Sequence, residues 1–483
     1  MKKKFVPVLG ILILMAGCKK MLEENPNDRL FTANFYKTAS DANSAINAIY
    51  NPLRADYAAR YSYQFTAMED YASAQGAYLP YALYTMNGST RAKTDNIFEV
   101  FYEVINFANV ALKYVPPIVM DTTAKNALLG EAHFLRALAY RNLVISWGGV
   151  PLRSQPTEST TSLAGKRASV ADVYSFIVSD LQFAETNLPA TQALAGKPTK
   201  WSAKTMLADV YLTNGQWDLA SNKADEVIVS GAYSLVPVKQ AADFNLIFGP
   251  TAVTNSEDVF SLKYSRTNGS PMASYYAMPN SSYANVGFGT FFGLTTYPLL
   301  QNWDKNDLRY KFDLYTSYID RTGKTVQNSP TQPIRFGKFE DPGFAPGNGN
   351  NFPIYRYPDA LFIYAEAASQ AAGGPTALAL ERLNMVHRRA YGYSSTSASP
   401  VDFTLATAPT AGAFRNLVLQ ERAYEFLCEG KRWFDLIRTG TVKQVILNAK
   451  GITIPDYFLL FPIPQQEIDN NPDLGPQDQN PGY

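Results

Sequence analysis

Two carboxylates, Glu425 and Glu429, stand four residues apart in Leu419–Gly440, LQERAYEFLCEGKRWFDLIRTG. On one helix face that spacing offers a general acid and a general base to a single substrate. Their neighbours argue for another use. Arg422 and Glu425 are one helical turn apart, as are Arg432 and Asp435, so opposite charges meet at i,i+3. Glu425 and Glu429 repel each other unless an arginine sits between them. Arg422 or Arg432 has the fork of donors for that place. Carboxylates crowded by arginines stay ionised, a poor state for acid catalysis. Arg422, Glu425, Glu429, Arg432 and Asp435 are therefore expected to form a buried ion network that pins two helices together.

Other catalytic chemistry is thinly supplied. The two histidines, His133 and His387, fall on separate predicted helices, where a lone histidine is usually structural. The chain lacks G-x-S-x-G, C-x-x-C, H-E-x-x-H and a phosphate-cradling glycine loop. Asp304-Lys-Asn306-Asp307 lacks the glycine that a calcium loop needs at position six. No catalytic residue, cofactor or metal is expected. A carboxylate-pair glycosidase survives this motif test, because its two acids need only a separation of about 5 to 9 Å in space.

Binding chemistry is richer. Tyr57–Tyr84 carries Tyr57, Tyr61, Tyr63, Phe65, Tyr71, Tyr78, Tyr81 and Tyr84, with Gly76 and Pro80 preventing a continuous helix. Pro271–Leu299 carries Tyr275, Tyr276, Tyr283, Phe288, Phe291, Phe292 and Tyr297 among glycines and prolines. A sugar ring has an apolar C–H face and a polar rim. An exposed tyrosine stacks under that face and offers its hydroxyl to the rim, and nearby Asn, Ser, Thr and Gln add donors and acceptors. Roughly two thirds of these rings are expected in the core. The candidates for ligand contact are Tyr78, Tyr81, Tyr84, Tyr275, Tyr276, Tyr283, Phe291 and Phe292.

Composition narrows the class further. Of the 483 residues 46% are hydrophobic and only 18% charged, while 31 are Tyr and 28 Phe, which favours aromatic, hydrogen-bonding surfaces. Lys2–Lys4 form a basic n-region and Phe5–Met15 an apolar stretch. That stretch is too short to span a bilayer, which takes about 20 residues. Met15-Ala16-Gly17-Cys18 follows and resembles a bacterial lipobox, with Met15 where leucine is usual. Residues 1–17 are thus expected to be a lipoprotein signal peptide, and Cys18 the acylated anchor of a tether over residues 18–32. Loss of three lysines takes the net charge from +1 to 1 − 3 = −2, so no nucleic-acid partner is expected. Cys428 is then the only other cysteine; no internal disulfide is possible, and packing is its expected role.

The elements that must position these groups read as helices. Ser40 is placed to cap a helix with apolar positions Ala42, Ala45, Ile46, Ile49, Tyr50 and Leu53. A second stripe runs Ile97, Phe98, Phe101, Tyr102, Ile105 and Leu112. A third lies in Gly130–Leu152, and Ser169 with Asp172 forms a capping box ahead of a fourth. Trp201–Ala232 has Leu207, Ala208, Tyr211, Ala220 and Ala224 at tetratricopeptide spacing, and Tyr364, Ala365, Ala368 and Ala377 make a poorer copy. Such pairs bury their faces only by stacking on others. The expected fold is mainly α over residues 33–483 as one domain. Helix pairs fill about 33–232 and 354–440, a long irregular insertion about 233–353, and a non-periodic segment 441–483. Val259–Tyr264 reads as a short strand.

Five stretches carry a family resemblance. R-x-x-E-F-x-x-E-G-x-R-W-F-D-L-I-R-T-G from Arg422 resembles the C-terminal signature of the SusD/RagB family. GEAHFLRALAYRNL, YRYPDALFIYAEAASQ, LNMVHRRA and FPIPQQEIDNNPDL resemble further segments of that family, in the family's order, although His387 stands where arginine is usual. The resemblance implies a lipid-anchored nutrient-binding protein of the outer membrane that faces the cell exterior. It implies a glycan or oligosaccharide ligand held on loop-borne aromatics. It also implies delivery to a SusC-like TonB-dependent transporter as partner, with contact to the membrane through the lipid anchor only and no enzymatic activity. A peptide-binding relative on the same scaffold, a surface glycoside hydrolase and a scaffold with protein partners only are the alternatives.

Overall fold

The computed structural model describes residues 35–57, 61–158, 163–284, 286–342 and 347–483. The signal segment 1–17, Cys18 and the tether 18–32 lie outside them. Apolar stripes of period 3.6 produce a run of helices. These are α1 (Ala39–Asp56), α2 (Ala92–Tyr114), α3 (Thr122–Trp147), α4 (Val170–Asn187), α5 (Lys200–Thr213), α6 (Trp217–Val229), α7 (Tyr357–Ala371) and α8 (Ala377–Ala390). Each packs on the next in chain order, and α6 meets α7 although more than a hundred residues separate them in sequence. Helix pairs of tetratricopeptide type, stacked in series, thus form the frame.

Local chemistry sets the ends. Thr38, not Ser40, caps α1: its hydroxyl accepts from the Asp41 amide while Asp41 accepts from the Thr38 amide. Ser40 already lies in the first turn, where its side chain cannot cap. Ser169 caps α4 through the Asp172 amide as expected. α3 starts two turns before Gly130, on the cap Asp121. Gly130 sits where α3 crosses the end of α4; a Cβ there would meet Leu188 at 3.3 Å. Among the described residues no helix is long and apolar enough to cross a membrane.

The insertion leaves the stack after α6 and returns through a short antiparallel pair, β1 (Asp258–Leu262) with β2 (Phe352–Arg356). Between them lie short helices and paired strands of two or three residues. Arg356 ends β2 and stands at the N-cap of α7, which fixes its side chain deep between the frame and the C-terminal helices. Those are α9 (Ala411–Glu425), α10 (Arg432–Arg438) and α11 (Val442–Lys450). Gly430 joins α9 to α10 at φ +70, and Gly440 follows α10 at φ +69. α11 corrects the expectation of a non-periodic segment over 441–483. Val442 and Ile446 are buried at helical spacing, and left-handed Gly451 ends the helix.

Candidate functional site

The structure places the acidic pair of the C-terminal signature in a buried ion network. Arg356, rather than Arg422 or Arg432, sits between the two glutamates. Its Nη1 donates to Glu425 at 2.9 Å, and its Nε and Nη2 donate to Glu429 at 3.1 and 2.8 Å. Arg389 Nη2 adds 2.6 Å to Glu425, and Lys338 Nζ 2.8 Å to Glu429. Arg422 is turned to Asp435 at 2.7 Å, and Arg432 grips Asp70 at 2.9 and 3.0 Å. Asp435 pairs with Arg438 instead of Arg432. Of the expected i,i+3 pairs, Arg422–Glu425 and Arg432–Asp435 give way to Arg422–Asp435 and Arg432–Asp70 bridges between elements, where each guanidinium finds a buried carboxylate, while Asp435 keeps an i,i+3 partner in Arg438. Burial alone would raise Glu425, but Arg389, Arg356 and Arg309 overcome it and hold the carboxylate well below its usual range. Glu421 is held down to about 2, against its burial, by Arg309 and His387. Such groups stay ionised and pin elements together.

His133 lies 2.6 Å from Asp180, which Arg136 also holds, and His387 lies 3.2 Å from Glu421. Cys428 is buried, its amide donates to the Tyr71 hydroxyl, and burial pushes its thiol well up, so it is a packing residue.

Stability should depend on pH from both sides. Glu421, Glu425 and Glu429 have depressed values in the fold, so their contribution is present above about pH 4.3 and is lost as pH falls through the folded values. Glu69 and Asp313 are raised by burial to about 7, so their contribution is full in acid and is lost as pH climbs toward 7. Denaturation midpoints measured across pH should be highest near about pH 4.5 and fall from there toward about pH 7; a monotonic rise from pH 4 to 9 would contradict this.

The aromatic candidates divide by burial. Tyr81, Tyr84, Tyr276 and Phe291 are core residues. Tyr81 shares a 2.8 Å hydrogen bond with Thr94, Tyr84 donates to the Met68 carbonyl, and Tyr276 pairs with Thr66. Ligand stacking on these four is corrected: neither ring face meets solvent. Tyr283 and Phe292 are half-buried, Tyr283 edge-on to Tyr315 at 5.2 Å and Phe292 under the Arg335 guanidinium at 5.6 Å.

Tyr78 and Tyr275 come together with residues the sequence reading did not select. They line a surface hollow of about 380 Å³ with Gln75, Gly76, Ala77, Lys93, Phe288 and Thr290. Tyr78 is only 2% exposed, so it is the floor and no platform, with Lys93 Nζ 4.9 Å above its ring. Phe288 is 50% exposed and stands at the lip. Its ring meets Tyr275 edge-on at 5.1 Å, and Tyr275 in turn rests on buried Tyr63 at 4.6 Å. That stack fixes Tyr275 and leaves Phe288 free to meet a partner.

Backbone geometry holds Phe288 outward. A Cβ on Gly287 would fall 2.1 Å from the Met278 carbonyl oxygen, and Gly289 has φ +54. The Phe288 amide donates to Ser274 at 2.8 Å and the Thr290 amide to Tyr275 at 2.9 Å. Gln75 Nε2 donates to the Gly289 carbonyl at 2.9 Å, and Gln332 Nε2 to Gln75 Oε1 at 3.1 Å. Ser73–Ala74 pairs with Phe291–Phe292, which ties the first aromatic segment to the second. The arrangement offers an aromatic edge, a tyrosine and a rim of amide, hydroxyl and ammonium groups, a set suited to holding a hydroxylated ring. The signal that would have found Phe288 is the G-F-G triplet. A phenylalanine between two glycines has no regular element to bury it.

Comparison with known proteins fits this architecture. Residues 345–483 match the model of the SusD family, and residues 20–212 match that of a family described as starch-binding, associating with outer membrane. SusD-like protein P2 of Formosa agariphila is 26% identical over 515 residues, covering 100% of both chains. Over its whole length the chain is similar to SusD-like proteins. A SusD-like protein of Bacteroides ovatus is 25% identical over 90% of this chain and 82% of its own. Among solved structures, a SusD homolog from Bacteroides thetaiotaomicron superimposes with a TM-score of 0.80 at 20% identity, covering 94% of this chain and 98% of its own. A laminarin binding SusD-like protein gives 0.77 at 23% identity, covering 93% and 100%. The SusD-like fold is thus the stacked helical frame with its long insertion, and the hollow is built where the insertion meets the Tyr57–Thr90 segment.

Proposed function

We propose that this SusD-like chain is a lipid-anchored protein of the cell surface, one domain over residues 33–483, that binds a glycan at the Tyr275–Phe288 hollow. In this reading it hands the ligand to a SusC-like TonB-dependent transporter and catalyses nothing. The observation that carries it is the half-exposed Phe288, backed by a fixed tyrosine and ringed by Gln75, Lys93 and Thr290. A pyranose C–H face against that ring, with hydroxyls on the rim, uses every group present. The description of the matching family as starch-binding and the laminarin-binding relative both support a polysaccharide ligand.

Affinity gels over a panel of polysaccharides including laminarin and starch, with a peptide pool as control, test the reading. Retardation by a polysaccharide is expected. Capture of peptides alone moves the chain to the peptide-binding alternative, and release of product from labelled oligosaccharides makes it a hydrolase. The anchor is tested separately: Cys18→Ala should shift the protein from the membrane fraction to the soluble fraction, and retention in the membrane would defeat the lipobox reading.

A further inference from the structure

Three segments lie side by side behind the aromatic hollow. Ser73–Ala74 pairs with Phe291–Phe292, and Gly293 pairs in turn with Ile334. Arg335 follows Ile334, is buried, and is not among the residues that line the hollow. Its hydrogen bonds nevertheless run to the rim. Nη1 donates to the Gly289 carbonyl at 2.7 Å and to the Phe291 carbonyl at 3.1 Å, and Nη2 donates to Gln332 Oε1. Gln332 Nε2 donates to Gln75 Oε1 at 3.1 Å. Gln75 Nε2 closes the circuit on the Gly289 carbonyl at 2.9 Å, with the Phe288 carbonyl at 3.4 Å.

The direction of this circuit is set at one end. A guanidinium can only donate, so Gln332 turns its oxygen to Arg335 and its nitrogen to Gln75. Gln75 then turns its oxygen to Gln332 and its nitrogen to the carbonyls of the lip. An amide oxygen has two lone pairs and Gln332 takes one, which leaves Gln75 an acceptor to offer a sugar hydroxyl. Gln75 is exposed. A long exposed side chain loses rotamer freedom when a ligand fixes it, and affinity falls by that amount. Here the relay fixes it before any ligand arrives. Arg335 itself donates to two carbonyls and an amide oxygen, all neutral, and burial lowers its pKa from the ordinary arginine value. A cation among neutral groups is costly, and an apolar side chain would fill the space without that cost. We infer that Arg335 and Gln332 are positioning residues of the hollow: they hold Gln75 and the Phe288 lip in the geometry that meets a glycan. The inference rests on the glycan reading of that hollow.

Affinity gels of the full chain with laminarin and with starch, and melting curves on the same preparations, test it. Gln332→Glu gives Arg335 a carboxylate, which accepts but cannot donate to Gln75. Binding should weaken about fivefold, the effect of one side chain's lost preorganisation, while the melting temperature stays at or above the parent's. Gln332→Met removes donor and acceptor without adding charge and should weaken binding as much. Arg335→Lys keeps the charge but loses the fork; it should weaken binding at least as far, with a lower melting temperature. If neither polysaccharide retards the parent, or if Phe288→Ala is retarded like the parent, the glycan reading fails and this inference falls with it. If the parent is retarded and Phe288→Ala is not, the site stands and the relay is judged alone. Parent-like binding by any of the three relay variants would then overturn it, as would a loss of affinity in Gln332→Glu that comes with a lower melting temperature.

Discussion

Arg356→Ala is expected to lower unfolding stability by about 3–5 kcal/mol or more, the usual loss when one partner of a buried ion pair is removed. The guanidinium serves three carboxylates at once: Glu425, Glu429 and Glu257, the last at 3.0 Å from Nη1. It also donates to the Glu425 carbonyl through Nη2. Alanine leaves these groups desolvated, and Arg389, Arg309 and Lys338 cover only part of the deficit. Folded chains hold roughly 5–15 kcal/mol in total, so the variant should be insoluble or melt far below the parent. Arg356→Lys keeps the charge but loses the fork, and should fall between. Arg432→Ala strands one carboxylate, Asp70, and the Leu419 carbonyl, and should cost less than Arg356→Ala. Urea midpoints of the three variants check the order. If Arg356→Ala melts with the parent, the network does not hold the elements together. If it melts with the parent and also abolishes turnover of an oligosaccharide, the glutamates are catalytic.

The reason this network was only half legible lies in sequence distance. Glu425, Glu429, Arg422, Arg432 and Asp435 share one stretch, and i,i+3 arithmetic pairs them locally. Arg356 arrives from the end of β2 and Arg389 from α8, and Arg309 and Lys338 from the insertion, so no local period could have announced them. What the stretch did carry was the burial of the charges, through the apolar residues interleaved with them. Helices were readable for a similar reason. Ala42, Ile46, Ile49 and Leu53 are all buried at the spacing that predicted them, as are Leu207, Ala208, Tyr211, Ala220 and Ala224. α11 carries Val442, Val445, Ile446 and Ala449 at helical spacing, but a run of nine residues is short beside the proline-rich end that follows. In the loops, residue type marks aromatic density but does not say which ring faces water. Tyr275 and Tyr276 are neighbours in one short helix, yet Tyr276 is buried and Tyr275 lines the hollow. Side-chain direction alone decides between them.

That contrast makes the ligand site testable with three substitutions. Phe288→Ala should weaken glycan binding about thirtyfold, the equivalent of losing a binding hot spot of about 2 kcal/mol, while the melting temperature stays with the parent. The ring is half in solvent, and its removal leaves the Gly287–Gly289 backbone bonds in place, so little of the core feels it. Tyr276→Ala should do the reverse. Its ring packs on Tyr63, Phe291, Phe336 and Phe339, and a buried aromatic replaced by alanine typically costs about 3–5 kcal/mol. Loss of affinity there should track unfolding. Tyr275→Ala should lose on both counts, because the ring forms the wall of the hollow and also rests on Tyr63 and Tyr78. Melting curves and affinity gels on one preparation of each variant separate the three. Should Phe288→Ala bind like the parent while Tyr283→Ala or Phe292→Ala does not, the site belongs to the Tyr283–Tyr315 side of the insertion, and the hollow is only surface relief.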